Sequence, residues 1–144
     1  CKITKFKEQI EYKSTLTLKD ILEENVEAKY YLSNEQINKI KKMKDSKEKI
    51  LNDGRIWKEG SVPFPDSIHK NARCVTPSDG SLNRSTHIIF DGKGYRKLTI
   101  RERARLQGLP DNFVLPVSDS QASLQLGNGV AVDAIKEIAK QKIN

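Results

Sequence analysis

The residues of this chain best suited to chemistry are its arginines. Six of the seven, Arg73, Arg84, Arg96, Arg101, Arg103 and Arg105, fall between residues 61 and 110, a window holding nine Lys or Arg against four acids. A planar, permanently charged guanidinium donates in a fork that matches phosphate oxygens and the guanine edge, so a local surplus of this kind points to a polyanion. The whole chain carries +7, from 26 basic and 19 acidic residues, and favours the same class of partner. Residues 111–144 do not share the surplus, with three bases against four acids. Nucleophilic and metal chemistry has less to draw on. Cys1 and Cys74 are too few and too far apart for a disulfide framework or a zinc site, and His69 and His87 lack partners at ligand spacing. Cys74 follows Arg73 with no base beside it, which predicts a packed thiol. Reduced thiols, the lack of a long apolar run and the lack of a basic-then-apolar leader predict a cytoplasmic protein with no membrane partner.

The elements that must position these charges can be read from caps and turns. Thr17 before Leu18, Asp20, Ile21 and Leu22 predicts a short capped helix. Ser33-Asn34-Glu35-Gln36 is a capping box with Leu32 placed to staple onto Ile37, launching a helix that buries Ile37 and Ile40 and ends near Lys44. Lys39 to Lys49 reads as a wet helix surface. Residues 52–65 are turn-rich, with Trp57 expected in the core. Extended segments are expected at Ala72–Thr76, His87–Phe90 and Tyr95–Leu98, the last two closed into a hairpin by Asp91-Gly92-Lys93-Gly94. Between the first two segments the polar stretch Pro77–Thr86 cannot bury itself; it suits either a nucleic-acid groove or open solvent. Thr99-Ile100-Arg101-Glu102 is a second capping box, predicting a helix to Gln107 stopped by Gly108 and Pro110. Ser118 caps a fourth helix through Leu126, with Gly127 as its left-handed exit. A last helix spaces Ile135, Ile138, Ala139 and Ile143 along one stripe that must find a neighbour. The chain is modest enough for a single core. Its first residue, Cys1, reads as an internal start and predicts a piece of a longer chain.

Arg96 through Phe113, RKLTIRERARLQGLPDNF, resembles the ninth conserved motif of the cytosine carbon-5 DNA methyltransferases. Gln125-Leu126-Gly127-Asn128-Gly129-Val130 resembles the tenth, in the family's order and spacing. More weakly, Arg73-Cys74-Val75-Thr76-Pro77 with Asp79-Gly80 is similar to the threonine-centred segment of the target-recognition region. Leu16–Glu23 is similar to the passage from catalytic into recognition domain.

The resemblance implies an α+β fold: a small mixed recognition domain of short strands and loops, then helices that pack on a Rossmann-like catalytic domain. Residues 1–98 would be linker and recognition domain, and 99–144 the helices. It implies duplex DNA as partner, Thr76 on the DNA backbone, and Arg73, Asn83, Arg84 and Ser85 as further candidate contacts. It also implies S-adenosylmethionine as cofactor, with Asn128, Gly129 and Val130 at one side of its pocket. Many relatives place serine where Gly129 stands, so backbone contact alone would remain. Arg101, Glu102, Arg105, Gly108 and Pro110 would organise the recognition domain. The family's Pro-Cys nucleophile and its cofactor loop have no counterpart in context, and Glu24-Asn25-Val26, which spells the family's catalytic triplet, reads as a solvated helix end. The expectation is therefore the DNA-reading part of a restriction-modification methyltransferase, inactive alone, whose catalytic centre lies elsewhere on the same polypeptide. Two alternatives are a natural small subunit of a split enzyme and a non-catalytic DNA-binding module.

Overall fold

The computed structural model describes residues 16–143, with side chains to residue 140. Cys1 and the side chain of Ile143 lie outside the described residues. Within them are four α-helices and two separate two-stranded antiparallel sheets: α1 Asn34–Lys44, β1 Lys47–Ile50, β2 Ile56–Glu59, β3 Ile88–Phe90, β4 Tyr95–Lys97, α2 Ile100–Leu106, α3 Asp119–Asn128 and α4 Val132–Ile143. Short 3-10 turns occupy Leu18–Ile21, Ala28–Tyr30 and Pro77–Gly80.

The capped starts behave as their chemistry requires. In α1 the Ser33 hydroxyl accepts from the Gln36 amide at 3.3 Å while the Gln36 side chain accepts from the Ser33 amide at 2.9 Å, satisfying two orphan donors. The same reciprocal pair joins Thr99 and Glu102 at the start of α2, and Gly108 closes that helix at φ +74°. At Thr17 the order is reversed: the Asp20 carboxylate accepts from both the amide and the hydroxyl of Thr17 at 2.7 Å, and only a 3-10 turn forms. The core is small and lies where that turn meets the second hairpin. Leu18, Ile21, Ile89 and Leu98 are buried together, flanked by Leu22, Ile68, Ala72 and Leu106.

With so few apolar residues, buried polar groups carry much of the packing. Glu102 and Arg96 are fully buried and face each other through two 2.8 Å bonds, and Arg96 Nε also reaches Asp91 at 2.7 Å. The Glu102 carboxylate further accepts the Glu23 amide at 2.9 Å, tying the amino-terminal segment to α2. Paired and multiply hydrogen-bonded in this way, the two charges offset their desolvation cost.

Five expectations are corrected. Lys44 is not on a wet face: it is buried, and its ammonium contacts the Pro63 carbonyl at 3.1 Å and buried Asp66 at 3.5 Å. The stretch 52–65 is not wholly a loop, since Ile56–Glu59 pairs with Lys47–Ile50 in the β1–β2 hairpin, so that Lys47–Lys49 is strand and not helix surface and Trp57 is exposed on the hairpin instead of in the core. The segment Ala72–Thr76 has the extended look of a strand but no ladder partner, so no strand forms. Cys74 is exposed, not packed. Gly127 does not end α3, which continues through Asn128 with a non-glycine-like exit at Gly129 (φ −70°). Gly127 instead lies where α3 crosses Pro77: a methyl group there would sit 2.0 Å from the Pro77 nitrogen. Glycine is needed at that position for close approach, not for a turn.

Candidate nucleic-acid interface

The segment Thr76–Thr86 folds into a built loop rather than a free one. Asp79, buried in the Pro77–Gly80 turn, accepts from the Thr76 amide at 3.0 Å and the Thr76 hydroxyl at 2.8 Å, closing the turn on itself. Burial raises the Asp79 carboxyl pKa, but the His87 imidazole beside it and the bonds from Thr76 outweigh it and hold the group below its usual range. His87 is itself buried with Nδ1 3.5 Å from Asp79. Asn83 organises the far side: its Oδ1 accepts from the Ser85 amide at 2.8 Å and hydroxyl at 2.6 Å, and its amide nitrogen donates to the Ser78 carbonyl at 2.6 Å. The result is a cluster of three hydroxyls at the surface, with Thr76 3.1 Å from Ser78 and 3.2 Å from Ser85.

Two arginines brace this loop from outside. Arg73 grips Asp66 through Nε at 2.7 Å and Nη2 at 3.1 Å, and donates to the carbonyls of Ser85 and Thr86. Arg84 turns away from the hydroxyl cluster. Its guanidinium donates to the carbonyls of Met43, Asp45 and Gly60, and its Nε stands 2.8 Å from Glu59. Both guanidinium groups are thus engaged largely by protein partners. Sequence reasoning missed Asp66, the hub that joins Arg73, Lys44 and the Ile88 amide (2.9 Å). Its position between two turns gave no signal.

Between the Pro77–Gly80 turn and α3 lies a cleft of about 440 Å³ whose wall includes Lys29, Lys97 and Arg103. Arg103 is buried; Nη2 donates to Ser123, whereas Nε and Nη1 have no partner among the described residues. Burial pushes its pKa down, and burial together with the Arg103 charge does the same to Lys97.

The remaining candidates are positioned as follows. Arg101 donates to the Phe113 carbonyl at 2.8 Å, and Arg105 pairs with Asp111 at 2.7 and 2.9 Å while donating to the Ile21 carbonyl. Pro110 accepts the Phe113 amide in the turn after Gly108. Asn128, Gly129 and Val130 are exposed at the end of α3, beyond a groove of about 490 Å³ that Gly129 and Val130 share with Ala72, Cys74 and Ala131. No hydrogen bond among the described residues joins them to the hydroxyl cluster, but Gly127 ties the two regions at Pro77. No cluster of three or more His, Cys, Asp or Glu able to hold a metal occurs among the described residues, and none of their helices is long and apolar enough to cross a membrane.

The family model for C-5 cytosine-specific DNA methylase matches residues 2–144. The chain belongs to that family. Among its relatives, the Type II methyltransferase M.HpaII of Haemophilus parainfluenzae is 37% identical over 144 residues, covering 88% of this chain and 38% of the relative. The Type II methyltransferase M.Sau3AI of Staphylococcus aureus is 34% identical over 134 residues, covering 90% and 32% respectively. The chain therefore spans about a third of the length of the relatives it matches. In structure it resembles the methyltransferase EhMeth of Entamoeba histolytica, with a TM-score of 0.64 over 96% of this chain and 44% of that one, at 21% identity. That likeness speaks for the fold, a mixture of helices and small antiparallel sheets.

Proposed function

We propose that this methylase-family chain is the DNA-reading part of a cytosine-5 DNA methyltransferase of a restriction-modification system. In this reading residues 1–98 form linker and recognition region, and residues 99–144 the helices that join it to a catalytic domain. That domain, on the same polypeptide or on a separate subunit, supplies the nucleophile. A cytosine inside a duplex hides its carbon 5, so it must be flipped out at a cost of a few kcal/mol. Contacts of the recognition part with the duplex offset that cost.

The observation that carries the proposal is the surface hydroxyl cluster of Thr76, Ser78 and Ser85 on a braced loop. Each hydroxyl has one proton to give; in the free chain those of Thr76 and Ser85 go to Asp79 and Asn83 and must turn to a phosphate oxygen on binding, while a loop already held by Asp79, Asn83, Arg73 and Arg84 loses little entropy. Thr76 and Ser85 are assigned to the DNA backbone, with Asn83, Arg73 and Arg84 fixing their positions. A non-catalytic module is the less favoured reading, because Ile135 and Ile138 are exposed along α4, a stripe suited to a further domain.

The cofactor this reading implies is S-adenosylmethionine, which supplies the methyl group when bound. The exposed residues Asn128 and Gly129 and the aliphatic Val130 fit one edge of such a pocket, the remainder lying on the catalytic domain.

The test is duplex binding by fluorescence anisotropy together with labelled-methyl transfer. The chain alone should bind duplex in a salt-sensitive way and incorporate no methyl. Thr76→Ala should weaken binding about tenfold, the worth of one hydrogen bond to a charged group, and Thr76→Ser should restore most of it. Methyl incorporation by the chain alone, or unchanged binding in Thr76→Ala, would overturn the reading.

A further inference from the structure

The β1–β2 hairpin is unusual in exposing both of its faces. Every residue of β1 and all but Glu59 of β2 stand in solvent, although Ile50, Ile56 and Trp57 are large apolar side chains. An isolated two-stranded ribbon is marginally stable in water, so something must hold it. Its base is held by the Val62 amide on the Lys44 carbonyl at 2.8 Å and by Arg84, which grips the Gly60 carbonyl and Glu59. Nothing among the described residues covers its length.

The register sorts the ribbon into two unlike faces. Residues directly opposite in an antiparallel pair share a face. Lys47 pairs with Glu59 and Lys49 with Trp57, so one face carries two lysines, one tryptophan and one carboxylate. That carboxylate is already neutralised by Arg84 at 2.8 Å, whereas neither lysine has an ion-pair partner among the described residues. The opposite face carries Ile50 against Ile56 and the self-contained Glu48–Lys58 pair at 2.9 Å. One face is therefore net cationic with an aromatic centre, and the other is neutral.

We propose that this ribbon is a second DNA arm, laying its Lys47–Lys49–Trp57 face on the duplex. The inference rests on the DNA-reading function proposed above and adds a site to it. Charge favours duplex DNA as the occupant, because unpaired lysines beside an exposed aromatic suit phosphates flanking a groove wall. Shape agrees: a two-stranded ribbon fits the major groove, and four-residue strands extend roughly 13 Å, more than the groove's depth of about 8.5 Å. Continuity is the third support. Arg84 belongs to the loop that bears Asn83 and Ser85, so one guanidinium ties the hydroxyl cluster to the root of the ribbon. The two surfaces approach a duplex as a unit.

The chain has a single tryptophan, so its emission reports the ribbon alone. Duplex is titrated into the chain while tryptophan emission and the anisotropy of a labelled duplex are followed together. Trp57 emission should change and saturate at the same duplex concentration as anisotropy. The double variant Lys47→Ala/Lys49→Ala should flatten the slope of log affinity against log salt by about 1.8, at about 0.9 for each phosphate that a lysine no longer neutralises. Ile56→Ser, on the opposite face, should leave that slope unchanged, and circular dichroism checks that all variants stay folded. Binding with silent Trp57 emission, or an unchanged slope in the folded lysine variant, sinks the ribbon proposal alone. Emission that shifts with protein concentration instead of duplex also overturns it, in favour of a second copy. No duplex binding by anisotropy would remove the DNA-reading function itself, and the ribbon proposal with it.

Discussion

Gly127→Ala separates two opposed effects whose sizes can be worked out. Glycine inside a helix costs about 1 kcal/mol relative to alanine, so at an open site the substitution would stabilise α3 by that amount. The site is not open. The added methyl would lie 2.0 Å from the Pro77 nitrogen, 2.3 Å from the Thr76 carbonyl carbon and 2.4 Å from the Pro77 Cα. Ordinary contact begins at 3.4 Å, so α3 and the Thr76–Pro77 backbone must part by about 1.4 Å (3.4 − 2.0). All three obstructing atoms are main chain, with no rotamer to swing aside. Overpacking of this kind costs roughly 1–3 kcal/mol, and backbone-on-backbone overlap belongs at the upper end. With about 3 kcal/mol lost and about 1 gained, the net loss is about 2 kcal/mol, a shift of roughly thirtyfold in the folding equilibrium. Urea unfolding followed by circular dichroism reads it as a lower midpoint at unchanged slope. Gly60→Ala is the control, since nothing lies within 4 Å of its added methyl. A Gly127→Ala protein as stable as the parent would refute the close-approach argument.

Acid stability and the buried arginine supply two more tests. Burial raises the Asp91 carboxyl pKa, but bonds from Tyr31, Arg96 and the amides of Lys93 and Gly94 outweigh it and lower the pKa from 3.8 to about 2. The folded pKa is depressed, so this stabilisation is complete above pH 3.8 and lost as pH falls through about 2; it amounts to at most about 2 kcal/mol. Asp91→Asn should therefore be less stable than the parent at pH 6 and converge on it near pH 2, measured by urea midpoints across that range; a constant gap would contradict the assignment. Arg103→Met should raise stability by about 1 kcal/mol, because it removes a buried cation with two unpartnered nitrogens and keeps the volume filled. A fall in the thermal midpoint would mean that the guanidinium has a partner worth more than its desolvation.

Local chemistry made much of this fold legible. The boxes at Ser33 and Thr99 and the glycine at 108 fix helix starts and a stop through their own hydrogen bonds, without help from distant residues. The second hairpin follows from the Asp91-Gly92-Lys93-Gly94 turn, where Gly92 takes φ +92° and Asp91 accepts two amides. What failed depends on tertiary contact. Lys44 looks like any lysine on a wet helix until Asp66 and the Pro63 carbonyl are brought over it, and Trp57, between Ile56 and Lys58 in an otherwise polar stretch, carries no local sign of whether it packs or protrudes. The local rule that glycine ends helices misplaces the role of Gly127, whose constraint comes from Pro77, fifty residues away. Asp66 is invisible for the same reason: its three partners lie at positions 44, 73 and 88.

The same contrast changes the meaning of the basic charge. A cluster of arginines between residues 61 and 110 suggested a nucleic-acid surface, but Arg96 and Arg103 are buried, and Arg73, Arg84 and Arg105 each bind a carboxylate and at least one backbone carbonyl. Their planar forks serve as internal struts because a small core leaves carbonyls and carboxylates to satisfy, and a guanidinium can bridge several at once. Lysine, with a strongly hydrated ammonium on a flexible stem, stays outside more easily, and Lys47 and Lys49 do. Net charge alone could not have separated the two uses. The exposed lysines, not the clustered arginines, then set how steeply duplex binding falls with salt, and the arginines set whether the loop and ribbon that meet the duplex hold their shape.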